Sequence, residues 1–310
     1  MALNYAEVWS PDLLEIMEQE SLTSPFVTTA VKWLSAKTFH FTQMSTSGYK
    51  SHSRLGGWNK GTVEQTDVPF TLTHDRDISF LVDKIDVDET NETASIKNIS
   101  EVFHKTQQIP EMDAYFYSKV ATEAQKLEGY HSSTALSSYT KENVYGKLKA
   151  MLSAGKLRRY VAKGALIAYV NSTIMDLLEQ STDFTRKIEM TQIAEGGIGI
   201  ETRITDIDGV TLIEVIDDER FYDKFDFTNG FVPVASTSHK INVLIASPLT
   251  VKTVPKIASI YYFNPGQHTE GDGYLYQDRS LSDTFVFPNG KDNKIDSIYV
   301  DVDTETYSAA

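Results

Sequence analysis

Apolar residues recur at two different periods along this 310-residue chain, and the change of period marks its elements. Ile78, Phe80 and Val82 alternate with Ser79 and Leu81, a period of two that predicts a strand with one buried face. Downstream, Ile96, Ile99 and Phe103 fall three and four apart, as do Met112, Phe116, Val120, Ala124 and Leu127. Such spacing lines one face of a helix. Pro110 sits where the two halves meet. A proline kinks a helix interior but costs little in a first turn. Glu111 and Asp113 follow it, suiting the positive end of a helix that starts again there. The pattern predicts a long, broken, amphipathic spine pinned beside a sheet.

Other segments carry shorter signals. Phe39 and Phe41 alternate with polar neighbours, as do Val68, Phe70 and Leu72. Between them Ser45 to Thr62 is rich in Gly and Ser and holds no core-forming run, so the region reads as a two-stranded arm with a polar tip. Composition alone fits an ordinary surface loop as well. Ala165 to Val170 is a continuous apolar run of buried-strand length, and Asn171 is placed to cap a helix through Met175, Leu177 and Leu178. Asp208-Gly209 predicts a tight primed turn between two strands. Further strands are expected at Val243 to Ala246, Ile257 to Phe263, Thr284 to Phe287 and Ile298 to Val302. Tyr145, Leu148, Met151 and Leu152 share a face of an amphipathic helix. The fold class is α+β.

The order of these elements resembles the major capsid proteins of tailed bacteriophages, the Hong Kong 97 type of fold. The strand end from Phe80 to Thr90 and the helix start from Pro110 to Tyr115 carry the likeness. So do Ile204 to Phe221 and the closing stretch from Gly273 to Val300. Ile216 departs from the pattern, standing where that family usually has proline. The resemblance implies an N-terminal arm (1–35), an extended loop (36–75), a peripheral domain with the spine (76–140), an axial domain (141–250) and return strands of both domains (251–310). It turns the loop reading of 36–75 into an arm draped over a neighbouring subunit, with Tyr49, Lys50, Arg54, Trp58 and Lys60 at its contacting tip. The spine positions it implies are Ile96, Ile99, Phe103, Pro110, Met112, Phe116 and Val120. The implied function is a structural protein, not an enzyme, that forms hexamers and pentamers closing an icosahedral or prolate head around double-stranded DNA. Partners would be other copies of the chain, with scaffolding, portal and decoration proteins as further possibilities, and DNA held only non-specifically. The virion is the implied location, after assembly in the bacterial cytoplasm. The chain starts at the arm with no long helical segment ahead of it, which favours a separate scaffold, or none, over a cleaved fused one.

Composition permits this and charge sharpens it. The chain has no Cys, which excludes disulfides and thiolate metal sites. No apolar run approaches bilayer-spanning length. The net charge of −14 argues against a general nucleic-acid binder, because phosphate contacts need clustered Lys and Arg. The distribution is uneven. Residues 1–20 hold Glu7, Asp12, Glu15, Glu18 and Glu20 and no base, whereas 21–63 hold Lys32, Lys37, Lys50, Arg54 and Lys60 and no acid. The segment 141–163 sums to +6 and 201–226 to −6. The first reads as a solvated helix face, with a nucleic-acid patch as the alternative. Opposite patches on one domain can meet across copies in a head-to-tail ring.

The search for chemistry is thin. The seven His are scattered, with no pair at zinc-ligand spacing. Asp206-x-Asp208-Gly209 resembles a calcium loop, but Thr211 and Asp217 occupy the positions of its Gly and closing Glu, so a hairpin turn explains it better. The acid runs Asp86 to Thr90 and Asp301 to Glu305 read as solvated strand ends. Gly196 to Gly199 lacks the context of a nucleotide site. No catalytic, cofactor or metal residue is assigned. Besides the capsid shell, three readings stand: an encapsulin-like compartment of the same fold, a metal-dependent hydrolase using acids of 201–226, and a tail or receptor-binding component.

Overall fold

The computed structural model describes residues 20–29, 33, 35, 37–52, 56, 58–85, 96–181, 188–191, 202–289 and 294–308. Strands β1 (Thr38–Thr46) and β2 (Val63–Thr71) pair antiparallel, and β3 (His74–Asp83) follows directly. Inward and outward positions alternate along all of β3, with Ile78, Phe80 and Val82 on the inward face. The spine consists of α1 (Ile96–Phe103), a π-helical turn (His104–Gln108) and α2 (Ile109–Gln125). Its interruption is the π turn directly ahead of Pro110, where the two halves were expected to meet. The chain stays helical through Gln108 and Ile109, so Pro110, in the first turn of α2, withholds an N–H from the turn ahead of it, which is the wider π turn. Glu111 and Asp113 thus do not cap a free helix end; both are committed to side-chain pairs.

The rest of the chain builds the body. It comprises β4 (His131–Ser133), α3 (Val144–Leu152), α4 (Arg158–Val161), β5 (Ile167–Asn171), α5 (Ser172–Glu179), β6 (Ile188–Thr191), β7 (Thr202–Ile207) and β8 (Val210–Val215). There follow β9 (Phe225–Asp226), β10 (Val232–Pro233), β11 (His239–Ala246), β12 (Val251–Phe263), β13 (Gly273–Val286) and β14 (Ile298–Thr306). Seven strands form a mixed sheet in the order β4-β14-β11-β5-β8-β7-β6, and three form an antiparallel sheet in the order β12-β13-β3. Asn171 caps α5 by accepting from the Thr173 N–H at 3.0 Å. Asp208 and Gly209 take φ of 52° and 80°, the primed turn expected between β7 and β8. The Gly209 N–H donates to Asp206 Oδ1 at 2.7 Å, so Asp206 serves the turn.

Both faces of the seven-stranded sheet are covered, which explains the unbroken apolar runs in its central strands. Tyr169, Leu244 and Val300 face Phe116, Tyr117 and Val120 of the spine. Ala168, Val170, Val243 and Ile245 face Leu148, Leu152, Ile174 and Leu178 of α3 and α5. Two expectations fail here. Asp301 and Asp303 are buried and not solvated, while Glu305 is exposed as expected: β14 lies between β4 and β11, and the segment from Ser132 to Tyr139 covers its acids. Asp301 accepts from Ser132, from Thr134 at 2.7 Å, from Tyr139 at 2.6 Å and from Asn242 at 2.8 Å. Met112, expected in the row with Phe116 and Val120, is 39% exposed. One turn before Phe116 that row has passed beyond the core, and Met112 lines a cleft of about 340 Å³ with Phe80 and Phe103.

At the centre lies a buried ion pair. Asp113 and Arg220 are both fully inside, with Arg220 Nη1 on Asp113 Oδ2 at 3.2 Å. Asp113 also accepts from the Leu22 N–H at 3.1 Å, the Thr23 hydroxyl at 2.7 Å and the Ser21 hydroxyl at 3.0 Å. Arg220 reaches Asp217 as well. One carboxylate thus ties the segment ahead of the arm, the spine and the loop after β8. Removing one member of a buried pair strands the other charge, at a cost of about 3–5 kcal/mol. Arg220→Ala is expected to lower stability by that much in chemical denaturation. Asp217→Ala, on the half-exposed side of the same arginine, should cost less than about 1 kcal/mol.

Candidate functional site

The surface that the body leaves unfinished is the arm. β1 and β2 pair at nine positions, from Thr38 with Thr71 to Thr46 with Val63. At about 3.4 Å per residue this hairpin is about 30 Å long. Its root is packed: Phe39 stacks on Phe70 at 5.7 Å and meets Phe285 and Phe287 edge-on. Leu72, Val254 and Leu281 complete the cluster. Lys256 Nζ lies 3.9 Å over the Trp33 ring beside it. The arm is thus built, and the reading of 36–75 as an ordinary loop does not hold.

Beyond the root no further strand joins the hairpin among the described residues. Met44 and Val63 are exposed on it, Tyr49 is fully exposed and Trp58 is 94% exposed. Lys50 donates to the Lys60 carbonyl at 3.3 Å, and Asn59 to the Ser51 carbonyl at 2.8 Å. Neither Lys50 nor Lys60 forms an ion pair among the described residues; Arg54 lies outside them. A lone hairpin is marginal in water, and several large apolar side chains gathered on one mark a contact surface.

Two carboxylates hold the arm and its following strand to the spine. Asp283 accepts from the Thr73 N–H at 2.9 Å and hydroxyl at 2.8 Å, and from the Tyr115 hydroxyl at 2.8 Å. Thr73 is a residue of the short link between arm and β3, so Asp283 fixes the hinge. Glu111 takes the Arg76 guanidinium through two bonds, at 2.6 and 3.1 Å. His74 lies 3.5 Å from the same carboxylate and stacks on Tyr115 at 3.9 Å. Burial would raise the Glu111 pKa, but the bonds from His74 and Arg76 outweigh it and hold the group below its ordinary value.

The spine residues divide. Pro110, Phe116 and Val120 are buried; Ile99 and Phe103 are half-buried, and Phe103 meets Phe80 edge-on at 5.3 Å. Ile96 begins α1, and its side chain lies outside the described residues. Sequence reasoning missed the joints: Asp113, Arg220, Asp283 and the role of Glu111. One signal was available, since Asp113 interrupts the row Pro110, Phe116, Tyr117, Val120 on the buried side of α2. The charge blocks are partly neutralised within the chain. Lys149 pairs with Asp208 at 3.3 Å, Arg159 with Asp296 at 3.6 Å and Lys240 with Asp218. Asp223 is buried, accepting from Gln125 at 2.8 Å and the His239 N–H at 2.6 Å. The 201–226 acids are therefore not a single free patch.

The sequence matches no family model and no curated protein. Solved structures do match it along nearly its whole length. The mature capsid of bacteriophage PhiM1 aligns at 12% identity over 97% of this chain and 92% of that one, with a TM-score of 0.63. The capsid of cyanophage P-SCSP1u aligns at 10% identity over 98% and 94%, with a TM-score of 0.60. A structure from Mycobacterium phage Bobi aligns at 11% identity over 97% and 96%, at 0.59. At such identities the likeness shows the fold, and the chain has the phage capsid fold.

The Glu111 clamp has a pH signature. Because its pKa is lowered in the folded state, its contribution is complete above the ordinary 4.5 and is lost as pH falls through the lowered value. Glu111→Gln is expected to be less stable than the parent at neutral pH. The gap between the two denaturation midpoints should close on acidification.

Proposed function

We propose that this chain is the major capsid protein of a tailed bacteriophage, a structural subunit that assembles with itself into hexamers and pentamers. These close an icosahedral or prolate head that encloses double-stranded DNA. The observation that carries the reading is the full-length likeness to subunits of phage capsids, and the projecting arm supports it. On this reading 1–35 is the N-terminal arm, 36–75 the extended loop, 76–140 the peripheral domain, 141–250 the axial domain and 251–310 the return strands. The tip residues Tyr49, Lys50, Arg54, Trp58 and Lys60 lie on a neighbouring subunit, where the exposed aromatics are covered and the cations meet acids. The virion is the place of action, and scaffolding, portal and decoration proteins are further partners.

The purified chain, or the chain co-expressed with its genomic neighbours, is expected to give closed shells in electron micrographs. Only monomers and small oligomers under every condition tried would overturn the reading. The arm is tested separately by the triple variant Lys50→Glu, Arg54→Glu, Lys60→Glu. Exposed ion pairs contribute about 0–1 kcal/mol each, so the subunit should melt as the parent does. Each contact recurs throughout a shell, so shell yield and salt tolerance should fall. Unchanged yield and salt tolerance would remove the electrostatic role from the tip.

A further inference from the structure

Among the described residues, the outer edge of β12 is guarded along its first half and bare along its second. Val27 bridges to Thr253 in parallel fashion, with the Thr28 N–H donating to the Thr253 carbonyl at 2.9 Å. The chain then places Trp33 under Lys256 before turning into β1. Beyond Lys256 comes Ile257–Phe263, seven residues without a charge. Among the described residues only β13 pairs with β12 there, leaving the other edge open. Ile260, Tyr261 and Tyr262 are 65%, 55% and 46% exposed. Successive residues of a strand point to opposite faces, so β12 carries exposed apolar side chains on both of its faces here. Soluble proteins block such edges with charge, proline or a covering element. This edge has none of these along the open stretch, which is also rich in strand-forming residues.

We propose that the open edge of β12 pairs antiparallel with the same edge of a second copy, about a two-fold axis at Ile260. Two independent features of the sequence share that centre. The first is side-chain volume: the axis sets Ile260 against Ile260, Tyr261 against Ser259, Tyr262 against Ala258 and Phe263 against Ile257. Each tyrosine lies across from a small residue, and such cross-strand neighbours are the unit of sheet packing. The second is the pair of prolines. Pro255 and Pro265 stand five residues to either side of Ile260, and a proline cannot donate to a ladder. They end the shared ladder at the same point in both copies. Lys256 meets Asn264 and not its own counterpart, so no like charges face each other.

An isologous contact of this kind cannot close a head-to-tail ring of one chain. It joins one ring to the next, a placement that rests on the capsid reading; the pairing itself does not. The chain has no Cys, so introduced thiols report alone. Directly opposed residues in an antiparallel pair have Cα atoms about 4.5–5.5 Å apart, within disulfide reach. Under mild oxidation of the full chain, Ile260→Cys should give a covalent dimer. Ala258→Cys mixed with Tyr262→Cys should link far better than either variant with itself. Absence of the Ile260→Cys dimer, or equal linking at all positions, would overturn the proposal. So would an edge found covered by a different protein. Ile260→Lys places two charges at the axis. It should leave thermal melting and ring formation unchanged and abolish closed shells. If the parent itself forms no shells, the capsid reading fails while the thiol experiment still decides the pairing.

Discussion

The fold depends on one buried carboxylate. Asp113 meets the Arg220 guanidinium and the polar groups of Ser21, Leu22 and Thr23 in a site closed to water. Three stretches far apart in sequence are thereby held at one point, and each brings apolar neighbours with it. Phe26 packs on Phe116 at 4.7 Å, and Tyr117 on Phe221 at 4.9 Å. A buried pair is weak evidence of net stability, because desolvation offsets most of the attraction. Its effect here is selectivity. An arrangement that leaves either charge unpaired is penalised heavily, so the segment ahead of the arm has one place to go.

The same device recurs wherever two parts of the molecule are joined. Asp283 fixes the link between arm and β3, Glu111 fastens β3 to the spine, and Asp301 collects the donors around β4 and β14. Apolar packing fills each layer, while these carboxylates set how the layers meet. Hydrophobic contact is non-directional. A carboxylate with several fixed donors is not, which suits joints that must hold a projecting arm in one direction.

Local pattern was legible because it reflects local geometry. The period of two in Ile78, Phe80 and Val82, the three-and-four spacing of the spine, the Asn171 cap and the Asp208-Gly209 turn each depend only on near neighbours. The unbroken run before Val170 likewise reports a strand covered on both faces. The joints were not legible in this way. Asp113 and Arg220 are 107 positions apart, and Tyr115 and Asp283 are 168 apart, so no window of sequence contains both partners. Asp301 misled for a related reason. A run of acids at a strand end suggests solvent, and only the tertiary fold reveals that Ser132, Thr134, Tyr139 and Asn242 surround Asp301. Met112 failed because periodicity gives the direction of a side chain and not whether a neighbour is there to meet it.

The π turn at His104–Gln108 has a mechanical consequence. A π turn spans more residues than an α turn, so each residue advances through a smaller arc and the face of α2 is rotated against that of α1. That offset lets Phe103 meet Phe80 on the three-stranded sheet while Phe116 and Val120 meet the seven-stranded one. The spine is thus one rod with two phases, and the five residues between them set the angle. Tightening that turn would swing Phe103 away from Phe80, while Glu111 and Tyr115, on the far side of it, would still hold the three-stranded sheet through Arg76 and Asp283.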